Sequence, residues 1–212
     1  IDVGVKEVLN STIDLCKNLG HSVESTKINF SSEEFSLAII TIISSNVSYA
    51  VKSQSDQTGR EVSNEYFENV TLQMAENGNN FSASDYVNAI NINHRLGQEL
   101  EKMFDQYDVL LSPVLASPPV KIGTIDMNTN DMKTYVERLT KYSPFTGIFN
   151  QSGQPSMSVP LFRTKDNLPV GSMFSAAFGN ENLLFSLAGQ LEQAQPWVKS
   201  LNVMREKLLE II

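Results

Sequence analysis

The spacing of apolar residues changes near residue 107, and that change limits the fold more than any other feature. Before it, apolar side chains recur every three or four residues, as one face of an α-helix requires. After it come short apolar runs, prolines and strict alternation, the marks of strands joined by irregular segments. The fold class implied is α/β, with a helical region over about 1–106 and a sheet-containing region over about 107–212.

In the helical region, Val5, Val8, Leu9, Ile13, Cys16 and Leu19 form one apolar stripe, preceded by Asp2 and followed by Gly20, where a left-handed cap would sit. Residues 21–30 read as extended. Ser31 and Glu34 have capping-box spacing, and Phe35, Ala38, Ile39, Ile42, Ile43, Val47 and Ala50 carry a long helix towards Gly59. A third helix is expected from about Glu61 to Asn77, ending at Gly78. Ser82 and Asp85 open a fourth, whose apolar positions run from Tyr86 through Leu96 and Leu100 to Phe104. Cys16 reads as a small buried hydrophobe, and His94, with no second ligand nearby, as a surface or packing histidine.

Val109, Leu110 and Leu111 form a continuous apolar run, the pattern of a strand covered on both faces. Pro113, Pro118 and Pro119 then forbid regular pairing, so the strand opens into a loop at its C-terminal end, where open α/β sheets bind ligands. A helix is expected near residues 131–140. The stretch from Tyr142 to Pro160 leads from aromatic residues into the alternation of Ser156, Met157, Ser158 and Val159. A strand ending at Phe162, turn chemistry at Asp166 to Pro169 and a strand through Val170 and Phe174 to Phe178 read as a hairpin. Helices from Glu181 to Leu191 and from Val198 to Ile211 close the chain.

Twenty-four acidic against sixteen basic residues give a net charge of −8, which opposes a nucleic-acid partner or an anionic membrane surface. One cysteine and two histidines, His21 and His94, offer no metal cluster, and no cofactor is expected. A lone thiol fits a reducing cytoplasm. The apolar run from Phe35 to Ile43 is too short to cross a bilayer. Six Asn-x-Ser/Thr sequons, at Asn10, Asn29, Asn46, Asn69, Asn80 and Asn150, are what a chain rich in these residues yields by chance. The first residue is Ile1 rather than methionine, so a processed chain or a fragment is expected.

No self-contained catalytic signature stands out: there is no Gly-x-Ser-x-Gly elbow, glycine-rich phosphate loop, paired cysteine motif or His-Glu-x-x-His helix. What stands out is an ordered set of segments. Tyr107-Asp108-Val109-Leu110-Leu111-Ser112-Pro113 is followed by a proline-rich stretch ending at Ile122-Gly123, then by Phe149-Asn150-Gln151-Ser152-Gly153-Gln154-Pro155 running into Ser156 to Pro160. Asn167-Leu168-Pro169-Val170-Gly171 and Gln195-Pro196-Trp197 complete the order. Together these resemble the C-terminal part of the amidase signature family, and Leu19 to Glu24 and Tyr86 to Leu100 resemble that family's intervening region.

The resemblance implies a mixed sheet flanked by helices and an intact protein that hydrolyses a non-peptide carboxamide through a serine acyl-enzyme. The family carries its nucleophilic serine, a second serine in a cis peptide and a lysine in an N-terminal Gly/Ser-rich region, which this sequence lacks. The fragment alone is therefore expected to be inactive. Ser156 and Ser158, with Lys165 nearby, read as structural, because a strand sets both serines on one face with no lysine between them. The implied contribution is pocket and scaffold, through Pro113, Phe145 and Ile148. In the branch that forms glutaminyl-tRNA, an aspartate seven residues before the motif asparagine holds the substrate amino group; Ser143 stands there, which points to an uncharged amide. Asn150 is either a substrate contact or a buried asparagine satisfying loop backbone. The expected partners are a small amide substrate and the N-terminal half of the same protein, with a homodimer allowed by the uncovered apolar faces. The competing reading is a non-catalytic binding or scaffold subunit related to amidases.

Overall fold

In the computed structural model, which describes residues 1–198, four helices precede the first strand. Helix α1 spans Val3–Asn18, α2 Ser32–Thr58, α3 Asn69–Gly78 and α4 Ala83–Glu101, followed by a 3-10 turn at Lys102–Asp105. Both ends of α1 and α2 and the start of α4 are where the sequence signals put them. Asp2 accepts the Gly4 N–H at 2.8 Å to start α1. Gly20, at φ +94°, ends it, with the Gly20 and His21 N–H groups donating to the Lys17 and Cys16 carbonyls at 3.0 and 3.1 Å. Ser31 caps α2, and Gly59, at φ +66°, closes it. The Ser82 and Asp85 side chains each take the other's backbone N–H, at 3.1 and 2.8 Å, completing the capping box of α4.

Helix α3 starts eight residues later than its expected onset at Glu61. Residues 63–67 turn back on themselves, with Tyr66 and Phe67 N–H groups both donating to Ser63 O, and Arg60 stacks on the Tyr66 ring. The first turn of α3 is instead fixed from a distance: Val70 N–H donates to Met127 O at 2.9 Å and the Asn69 amide to Asn128 O at 2.8 Å. Helices α2, α3 and α4 pack on one another, and α2 meets α3 so closely at Gly78 that an added Cβ would lie 2.1 Å from Ser44 O. Ala38, Ala89 and Ile92 form the α2–α4 contact, while Leu37, Ile40 and Ile43 stay exposed. Over its whole length α2 is long and apolar enough to cross a membrane, unlike the short run from Phe35 to Ile43 alone.

Strand β1 spans Val109–Pro113, β2 Ser156–Arg163 and β3 Pro169–Ala176; α5 spans Met132–Tyr142, α6 Thr146–Ser152 and α7 Glu181–Ala194. Helix α6 was not expected. Two turns long and ended by Gly153 at φ +85°, it is too short to show a period. The strands form one antiparallel sheet in the order β1-β3-β2, and the hairpin joins β2 and β3 through Asn167 at φ +62°. The terminal helix expected from Val198 to Ile211 lies, past its first residue, outside the described residues.

Alternation along the strands sends side chains to two separate cores. Phe174, Ala176, Val159 and Leu161 face α1 and α7, meeting Cys16, Leu184 and Leu191, with Val109 and Leu111 packed against them. Met173 and Leu110 face α4 and α6, meeting Leu96, Leu100, Ile148 and Phe149. Strand β1 thus has cover on both faces, as its apolar run implies, yet Val109 and Leu111 are only half-buried because β1 lies at the sheet edge. Phe174 and Leu191, almost completely buried, each contribute about 1.5–3 kcal/mol of hydrophobic stabilisation. A buried hydroxyl pair, Thr12 to Ser172 at 2.8 Å, ties α1 to the middle of β3.

Two outcomes follow from the helix contacts. Gly78→Ala pushes a methyl into the Ser44 carbonyl and should cost at least about 1–3 kcal/mol in chemical denaturation. Ser82 hydrogen bonds, side chain first and then backbone, lower the Asp85 pKa below 3.8, so this stabilisation is complete above that value and lost as pH falls through the folded pKa. The melting-temperature penalty of Ser82→Ala should therefore shrink on going from pH 7 to pH 2.

Candidate functional site

The loop that leaves β1 is held on three sides. Val114 N–H donates to Gly171 O at 3.2 Å, extending the ladder one residue past Pro113. Ala116 N–H donates to Tyr142 O at 2.9 Å, and Ala116 O accepts from Asp2 N–H at 2.7 Å. Farther on, Arg138 of α5 donates to Thr124 O at 3.2 Å. The outcome is that the C-terminal end of β1 lies beside the junction of α5 and α6. Gly171 permits this approach: a Cβ there would lie 2.6 Å from Ser158 Oγ and 2.7 Å from Val114 Cγ2.

The five candidate residues are distributed around that junction. Pro113 is buried at the end of β1, with the Ser112 hydroxyl donating to its carbonyl at 3.1 Å. Ser143 ends α5; its hydroxyl pairs at 3.1 Å with that of Thr146, the first residue of α6. Phe145 and Ile148 share one apolar cluster with Val114 from the β1 loop and Phe35 from α2. Ile148 is buried among them, whereas Phe145 remains half-buried. Asn150 is exposed, so it does not serve as a buried asparagine. The turn of α6 that points Ile148 and Phe149 inward carries it outward.

The buried polar residues at this junction are others. Asn93 of α4 donates to the Gln151 side chain. Gln154 is buried and its amide donates to Gly97 O at 3.0 Å and Glu101 Oε2 at 3.4 Å; the same oxygen of Glu101 accepts the Phe178 N–H at 3.1 Å. Gly97 lets α6 approach, since a Cβ there would lie 3.0 Å from Ser152 O. These contacts hold the segment 151–154 against α4. Position Gln154 within the motif Gly153-Gln154-Pro155 was the available signal, but its partners stand 53 and 57 residues away in sequence.

No Ser-Lys arrangement forms among the described residues near Ser156 and Ser158. The Ser156 hydroxyl pairs with that of Ser175 across the hairpin at 2.7 Å, and Ser158 packs over Gly171. The Lys165 ammonium turns to Glu7 of α1, at 2.6 Å. That hydrogen bond, and then the Glu7 charge, pushes the Lys165 pKa up, which keeps it protonated and unsuited to act as a base. His94 is exposed. Among the described residues no cluster of three histidine, cysteine or carboxylate side chains is placed to hold a metal. A 440 Å³ hollow, lined in part by Val51, Arg60, Tyr66 and Phe67, and a 70 Å³ cleft between α2 and α4 contain none of the five candidate residues. The β1 end and the α5–α6 junction together form one wall, joined by the Ala116–Tyr142 backbone bond and the cluster of Val114, Phe145 and Ile148.

Substitutions test this wall. Glu101→Ala removes the acceptor of the Phe178 N–H and one of the two acceptors of the Gln154 amide, and should destabilise by about 1–3 kcal/mol. Ser143→Ala, removing a half-buried hydroxyl pair, should cost about 0.5–1.5 kcal/mol in the same urea titration. Burial raises the Cys16 thiol pKa, so this residue should resist maleimide labelling until the chain unfolds.

Comparison with known proteins places these features in one family. Residues 1–185 match the family model described as Amidase. The amidase-family protein AmiC of Mycobacterium leprae is 39% identical over 105 residues, 50% of this chain and 22% of that protein. The 6-aminohexanoate-cyclic-dimer hydrolase of Paenarthrobacter ureafaciens is 34% identical over 97 residues, 43% of this chain and 20% of its own length. A solved structure of 6-aminohexanoate cyclic dimer hydrolase superposes with a TM-score of 0.81 at 23% identity, covering 94% of this chain and 43% of that one. A bacterial aryl acylamidase structure gives a TM-score of 0.72 at 18% identity, over 92% and 41% of the two chains. The matches thus reach from about a fifth to two-fifths of the relatives' lengths. With a family model matched over most of its residues and the fold shared, this chain belongs to the amidase signature family.

Proposed function

We propose that this chain is the C-terminal portion of an amidase that hydrolyses a non-peptide carboxamide through a serine acyl-enzyme. The nucleophile lies outside it, and this chain supplies pocket wall and scaffold. The observation that carries the reading is the meeting of the family's separate motifs at one place: the backbone bond from Ala116 to Tyr142 brings the Pro113 loop against Ser143, Phe145 and Ile148, with no Ser-Lys arrangement beside them among the described residues.

The chemistry divides accordingly. A serine oxygen attacks the amide carbonyl, the nitrogen leaves with a proton, and water then attacks the ester to release the acid. The attacking groups and the oxyanion donors belong to the remainder of the protein. Val114 and Phe145 offer an apolar surface for the acyl part, which suits binding by area rather than by charge. Ser143 offers a neutral hydroxyl where a carboxylate would hold a cationic amine, so an uncharged amide is the better fit. A relative named 6-aminohexanoate-cyclic-dimer hydrolase supports the same class.

Ammonia release from a panel of small carboxamides, measured for the full-length protein and for this chain, tests the proposal. Release by the full-length protein alone is expected. Release by neither would sink the amidase reading in favour of a scaffold subunit, and release by this chain would assign the nucleophile wrongly. In the active full-length protein, Ser143→Asp should shift kcat/KM towards amides bearing a free amino group, by about tenfold or more for a charge pair worth about 1.4 kcal/mol.

A further inference from the structure

The 440 Å³ hollow beside the C-terminal half of α2 joins an apolar lining to a single fixed charge. Val47 and Val51 of α2 and Phe67 of the turn before α3 supply the apolar surface. Among the described residues, Arg60 is the one charged side chain that lines it; the neighbouring carboxylates of Asp56, Glu61 and Glu65 do not.

Local structure holds that cation in place. Gly59, at φ +66°, turns the chain back at the end of α2, and the Ser55 hydroxyl donates to Arg60 O at 2.6 Å. The guanidinium carbon then lies 4.9 Å from the centre of the Tyr66 ring. Attraction to a ring face uses none of the guanidinium N–H donors, and among the described residues no ion pair or hydrogen bond engages them. The hydroxyls around the hollow are occupied instead: Thr58 donates to Gln54 O at 2.7 Å and Thr71 to the Glu68 carboxylate at 3.3 Å.

A planar set of unused donors beside apolar surface matches a carboxylate carried on an apolar chain: the fork takes both oxygens and the lining takes the chain by area. One positive charge balances one negative charge, which favours a carboxylate over a phosphate dianion. A ligand cation fits poorly, because Arg60 already covers the Tyr66 ring and would repel it.

We propose that this hollow binds a small amphiphilic carboxylate, with Arg60 holding its head and Val47, Val51 and Phe67 its chain. The site is separate from the candidate wall. Helix α2 meets the wall near its start, where a Cβ on Gly147 would lie 3.7 Å from Phe35 Cζ and 3.8 Å from Ile39 Cδ1. The hollow begins at Val47, about 12 Å farther along the helix axis. The inference therefore goes beyond the amidase reading and does not rest on it.

Calorimetric titration of the full-length protein with 4-phenylbutyrate tests it, with 4-phenylbutylamine as the control of opposite charge. The acid should bind at least about tenfold more tightly than the amine. Arg60→Gln should weaken binding of the acid at least about tenfold, and Ala50→Trp, which fills the hollow from an exposed position on α2, should abolish it. Both replaced side chains are exposed, so the variants should unfold as the parent does. Absence of saturable binding at millimolar acid, equal binding of the amine, or undiminished binding in either variant would overturn the proposal. Hydrolysis is not the readout, so such a failure leaves the amidase reading untouched.

Discussion

The antiparallel pairing of β3 with both of its neighbours is the interaction on which the rest of this structure depends. Its alternation assigns Phe174 and Ala176 to the core under α1 and α7, and Met173 to the core under α4 and α6. A one-residue slip would exchange those faces and bury the wrong side chains in both. Thr12 and Ser172 guard the register from one side, by a hydroxyl pair that a slipped strand could not keep. Gly171 guards it from the other, because only a residue without Cβ fits between Ser158 and Val114.

The candidate wall inherits its geometry from this ladder. Pro113 is positioned by β1, which β3 holds; Ile148 and Phe145 are positioned by α6, which packs on α4 and through it on Met173. The backbone bond from Ala116 to Tyr142 closes the circuit between them. A wall built this way is tied to the sheet through both β1 and α4.

Much of this was legible in the residues. Caps announced α1, α2 and α4 because each signal is local: Asp2 and Gly20, Ser31 and Gly59, Ser82 and Asp85 act within one turn of the ends they set. The hairpin was legible for the same reason. The start of α3 was not, since Met127 and Asn128 fix it from almost sixty residues away, and α6 was too short to show a period. The fit of Gln154 between Gly97 and Glu101 had no local signature either. Asn150, chosen for its place in the motif, is exposed, while Asn93, which falls on the periodic inward stripe of α4, is buried. The family's order of segments named the residues of the candidate wall, but which side chains face inward depended on a helix the sequence did not announce.

The central claim, that the reacting serine lies outside these residues, is tested most directly by treating the full-length protein with a fluorophosphonate and mapping the modified peptide by mass spectrometry. The account predicts one labelled serine, N-terminal to this chain, and none within it. A label on Ser156 or Ser158, or no covalent label on a preparation that hydrolyses amides, would contradict it.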